Sequence, residues 1–111
     1  MSSDGLEGMI AERRLTLVSD DGVARDLVVR IGKPERTPGR EEFSCECQIV
    51  GLDAGKVQRI YGLDAFQAIQ LVLNFISALL HHYRREAKGR IYWLEHGDDM
   101  GFAEPGYTTA S

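Results

Sequence analysis

Cys45 and Cys47, one residue apart in "EEFSCECQIVGL", are the side chains best suited to holding a soft metal ion. A thiolate pair needs further ligands, and His81, His82 and His96 are the nitrogens the chain offers. Structural zinc sites space their cysteines by two to four residues and draw on a second pair, which this chain lacks. The segment alternates apolar and polar residues, so both thiols point inward, and the pattern reads as core cysteines with no metal site. Spacing of i and i+2 is also poor for a disulfide, and a reduced pair suits a reducing compartment.

His81 and His82 diverge by about 100° on a helix and do not chelate one ion together. No nucleophile or acid accompanies either of them in sequence, so neither is given a catalytic role. "EHGDDMGF", residues 95–102, gathers Glu95, Asp98 and Asp99 between glycines, but its spacing departs from the twelve-residue calcium loop. Aspartates that bond backbone amides in a turn account for it. The sequence therefore points to no catalytic residue, no metal and no cofactor. Two sets of candidate contact residues remain. Gln67, Gln70, Asn74 and His81 share one helix face and could meet a ligand or partner; Glu42, Glu46, Asp98 and Asp99 could form an acidic patch for a basic target.

The elements that must position these groups follow from periodicity. Residues 1–10 are small, polar and glycine-bearing and read as a flexible N-terminus, 11–103 as a single domain, and 104–111 as a tail. "RRLTLVSDDGVARDLVVRIG" is a hairpin about Asp21-Gly22, with Leu15, Leu17, Leu27, Val29 and Ile31 on one face. Residues 32–41, with two prolines and two glycines, read as a loop. In the next strand Phe43, Cys45, Cys47 and Ile49 face inward, and Glu42, Ser44, Glu46 and Gln48 outward. A turn at Asp53 to Gly55 leads to a weaker strand, "KVQRIYG". The period then changes to about 3.6: Asp64 caps a long helix, Gln67 completes a capping box, and Gly89 closes the helix after Arg84, Arg85 and Lys88. "RIYWLE" reads as a last strand. The expected fold is α+β, an antiparallel sheet of four to five strands with one long helix packed on one face.

Composition bounds the function. With 13 basic and 17 acidic residues the net charge is −4, against nonspecific nucleic-acid binding. A membrane span over 63–83 would place Gln67, Gln70, Asn74, Ser77, His81 and His82 in hydrocarbon, so a core helix is expected. The N-terminus does not read as a secretory signal, which points to the cytoplasm.

No Asp, Glu, Lys or Arg occurs from Ala65 to Tyr83, and Gln67, Gln70, Asn74, Ser77 and His81 fill a polar arc of about 100°. The apolar remainder, from Phe66 to Tyr83, is wider than one sheet usually covers. Trp93, Leu94 and Phe102 folding back, a second copy, or another partner are the candidate covers.

The segments "RRLTL", "VRIGKPE", "CQIVGL", "YGLDAFQAIQL" and "WLEHGDDMGF" occur in that order, and the run Gly62-x-Asp64-Ala65-x-Gln67-Ala68-x-Gln70-Leu71 is the most specific of them. Together with the Gly97-Asp98 and Gly101-Phe102 pairs, they make the chain resemble a family of small bacterial proteins known as a domain of unknown function. The resemblance implies a bacterial origin and a shared fold, with no activity attached. Three functions stay open: a non-catalytic protein-interaction module, immunity- or inhibitor-like; a small-molecule binder or enzyme with a pocket between helix and sheet; and a structural homodimer. The first is the expectation, with self-association as its companion.

Overall fold

The computed structural model describes residues 6, 8–51, 55–94 and 100–103. In chain order the elements are β1 (Met9–Val18), β2 (Ala24–Gly32), β3 (Glu35–Arg36), β4 (Phe43–Val50), β5 (Gln58–Gly62), α1 (Ala65–Ala87) and β6 (Arg90–Tyr92). All six strands form one antiparallel sheet. One edge of β4 is shared by β2, which pairs Val28–Ile31 with Val50–Cys47, and β3, which pairs Glu35–Arg36 with Ser44–Phe43. The other edge of β4 carries β5. β1 lies between β2 and β6.

The helix leaves β5 on one side of the sheet and returns the chain to β6 on the other, covering a single face. Strand alternation supplies that face with Leu15, Leu17, Leu27, Val29, Cys45, Cys47 and Ile49, all buried. Helical spacing of four supplies Ala68, Val72, Ile76 and Leu80, each 0% exposed. Ile91 of β6 and Met100 complete the core. The opposite face is polar and carries the ion pairs Arg30 with Glu12 and Arg59 with Glu46.

Several local readings are refined. The first hairpin closes through a loop at Ser19–Val23, not a two-residue turn: Asp21 accepts from the Ser19 hydroxyl and the Val23 amide, and Gly22 takes φ 85°. These bonds to the carboxylate, that of Ser19 first, hold the Asp21 pKa below its ordinary value. β3 arises inside the expected 32–41 loop, because two residues pairing with β4 are too short to show a period. β1 begins at Met9, with a register shift between Met9 and Ala11, inside the stretch expected to be flexible. The left-handed residue closing α1 is Lys88, at φ 52°, and Gly89 follows it. Gln48, expected to face solvent, is 5% exposed, since its amide donates to the Gly55 carbonyl at 2.7 Å. The expected Asp53 turn, His96, and the carboxylates of Glu95, Asp98 and Asp99 lie outside the described residues, as do residues 104–111.

Candidate functional site

The entrance of α1 combines a rigid backbone with uncovered apolar side chains. The Asp64 carboxylate accepts from the Gln67 amide at 2.8 Å, and Gln67 Oε1 accepts from the Leu63 amide at 2.7 Å, so one orphan donor of the first turn and the amide of the residue before the cap are both satisfied. Gly62 is buried just before, where a Cβ would lie 2.5 Å from the Ala68 nitrogen; only glycine lets the strand turn so close beneath the helix. This fixed corner displays Leu63 and Phe66, which are 79% and 78% exposed.

Spacing of four and three residues extends the display along one stripe, Phe66, Gln70 and Leu73, with Leu73 40% exposed. The same stripe continues to Ser77, expected on the wet polar face, yet Ser77 is buried and its hydroxyl donates to the Ala103 carbonyl at 2.6 Å. Residues 100–103 thus cover the helix at Ser77, with Met100 in the core and Phe102 packed against it. Of Trp93, Leu94 and Phe102, together one of the three candidate covers, Phe102 packs against the core, whereas Trp93 and Leu94 are 39% and 54% exposed. Among the described residues nothing covers the half of the stripe nearer the helix start.

Of the four neutral polar candidates, Gln67 is occupied by the cap, Gln70 is exposed, and Asn74 and His81 are half-buried. His81 Nδ1 lies 3.3 Å from the Arg84 guanidinium. None of the four lines the hollow of about 110 Å³ at the helix-sheet seam, which is walled by Phe75, Leu79 and Tyr83 of the helix and Cys47 and Lys56 below. The acidic candidates are not brought into one bare patch. Glu42 pairs with Arg40 at 3.0 Å, Glu46 pairs with Arg59, and Asp98 and Asp99 are outside the described residues. Cys45 and Cys47 are buried free thiols; burial pushes Cys45 up and Cys47 up to about 12, which suits packing and opposes nucleophilic chemistry. Among the described residues no group of three or more His, Cys, Asp or Glu side chains is placed to hold a metal ion.

The fold is thus an α+β module in which a single edge-to-edge helix covers one face of an antiparallel sheet, leaving an apolar corner and a charged sheet face in solvent. Residues 11–104 match the domain of unknown function DUF6968, and the chain belongs to that family. No curated protein and no solved structure gives a significant match.

Proposed function

We propose that the protein is a non-catalytic interaction module that pairs with a second copy of itself through the open half of the α1 stripe. The observation that carries this reading is the exposure of Leu63 and Phe66 on a corner held rigid by the capping box and Gly62. Large apolar side chains left in water forgo about 1.5 to 3 kcal/mol each, and a contiguous display of them favours association.

A second copy suits this surface because a two-fold axis sets the same patch against itself, and residues near the axis meet their own counterparts. From Ala65 to Tyr83 there is no charged side chain to meet its like near the axis, and the Asp64 carboxylate between Leu63 and Phe66 accepts from the Gln67 amide. Gln70, carrying both donor and acceptor, can bond its own symmetry mate. An immunity-like role against a basic target has less support, since Glu42 and Glu46 already face arginines. A small-molecule pocket at the seam also has less, because the hollow there is well below the usual 300 to 1,000 Å³.

Sedimentation equilibrium over a concentration series tests the reading, using the whole chain and the double variant Leu63→Ser with Phe66→Ser. The wild type should be dimeric, and the variant should dissociate at least 100-fold more readily with an unchanged circular dichroism spectrum. A wild type that stays monomeric to about 1 mM, or a dimer indifferent to the two substitutions, overturns it.

A further inference from the structure

The face of the sheet turned away from α1 carries a polar depression of about 480 Å³, several times the volume of the seam hollow. Four separate stretches wall it: Gly8, residues between Gly32 and Pro38 other than Pro34, Ser44 with Glu46 on β4, and Arg59 with Tyr61 on β5. Sheet register explains the convergence. Ser44 lies opposite both Glu35 and Tyr61, and Glu46 opposite Arg59, so alternate residues of three strands project to one side.

The charges there are of two kinds. Glu46 and Arg59 neutralise each other in the wall, and the Arg36 guanidinium is drawn to the Phe43 ring, 5.3 Å away. Lys33 and Glu35 form no ion pair with each other or with any other described residue. Among the described residues one ammonium and one carboxylate therefore border the same concavity without an ion-pair partner, while Arg36, also outside any ion pair, rests on the Phe43 ring. The wall also contains Thr37, whose buried hydroxyl has no hydrogen-bond partner among the described residues, and the ring of half-exposed Tyr61. A lone anion would meet Glu35 and a lone cation would meet Lys33. A molecule bearing both charges satisfies both, and an apolar group on it would have the tyrosine ring to rest on.

We propose that this depression binds a small zwitterion of the α-amino-acid class, its carboxylate directed to Lys33 and its ammonium to Glu35. The site is separate from the α1 stripe and does not depend on self-pairing.

Titration of the ¹⁵N-labelled full chain tests it by amide shifts, with L-phenylalanine as probe and with N-acetyl-L-phenylalanine and L-phenylalaninamide, each lacking one charge. L-Phenylalanine should give saturable shifts at Lys33, Glu35, Ser44 and Tyr61, and each singly charged analogue should bind at least 10-fold more weakly. Lys33→Ala should remove the preference over the amide, and Glu35→Ala the preference over the N-acetyl compound, while the remaining spectrum shows that each variant is folded. Non-saturating shifts up to 10 mM, or equal binding of all three probes, overturns the proposal.

Discussion

The Arg13 guanidinium lies over the Trp93 ring, 3.8 Å from its centroid, and the same group donates to the Gly101 carbonyl at 2.6 Å. Phe102 stands on its other approach, at 4.9 Å. One side chain of β1 thereby clamps the residues after β6 to the segment that returns over the helix. Cation–π contact and a charged hydrogen bond together suggest that Arg13→Ala costs about 2 kcal/mol. Trp93 is the single tryptophan, so its emission should shift red in that variant, and urea unfolding followed by fluorescence measures both effects. A loss under about 0.5 kcal/mol, within the range of ordinary surface substitutions, would show that the clamp does not hold the segment.

Gly101 sits under the clamp at φ 79°, and a Cβ there would lie 2.5 Å from Arg13 Nη1 and 2.6 Å from the Trp93 ring. Gly101→Ala should cost about 2 to 3 kcal/mol, from left-handed strain and displacement of both partners. Combined with Arg13→Ala it should cost less than the sum, because the two changes share one contact. Strict additivity in the double-mutant cycle would refute the shared contact.

The end of α1 makes a paired prediction of opposite sign. Lys88 bears the left-handed conformation without glycine's freedom, so Lys88→Gly should stabilise by about 0.5 to 1 kcal/mol. At Gly89 an added Cβ would overlap the Val18 carbonyl oxygen and stand 2.8 Å from Ser19 Cα, both backbone atoms that cannot swing aside. Gly89→Ala should destabilise by about 2 to 3 kcal/mol. Thermal unfolding of the two variants decides the matter, and equal shifts in one direction would contradict it.

Asp64→Ala should cost about 1 kcal/mol and Gln67→Ala somewhat less, as the two halves of a capping box. Glu at position 67 should restore most of the loss, whereas Ala should not. Gln67 variants with unchanged stability would return that amide to the set of free contact residues.

Burial holds the Cys47 thiol neutral, its pKa pushed up to about 12 from 9.0. A raised folded-state value means that the stabilisation is complete below the ordinary thiol pKa and is lost as pH rises from about 9 towards 12. Native protein at pH 8.5 should resist 5,5′-dithiobis(2-nitrobenzoate), with both thiols reacting once guanidinium unfolds the chain. Cys47→Ala should show a flatter decline in stability over the same alkaline range. Rapid labelling of the native state would be inconsistent with this burial.

Most of the fold is legible in period alone: Leu15 to Ile31 and Phe43 to Ile49 alternate, and Asp64 and Gln67 announce the helix that follows. Two of the misreadings share a physical cause, a contact with another segment of the chain that no period announces. Ser77 is buried with its hydroxyl donating to the Ala103 carbonyl, and Gln48 with its amide donating to the Gly55 carbonyl. Phe66 shows the converse: its residue type predicts burial, and no described segment covers it. The zwitterion site was hidden more deeply, because Lys33 and Glu35 read as loop charges until β3 pairs with β4 and sets them beside Arg59 and Tyr61.

The passage of the helix from one outer strand to the other also orders assembly in time. Pairing of β1 with β2 and of β4 with β5 joins near neighbours along the chain, whereas β6 joins Tyr92 to Thr16. That contact closes a long loop for the return of three residues, so loop-closure entropy favours its forming late. Until then the Thr16–Val18 end of β1 exposes a bare edge able to capture a strand from another molecule. Refolding at high concentration is therefore most hazardous in the interval before the last strand arrives, and loss of the three residues Arg90–Tyr92 would make that interval permanent.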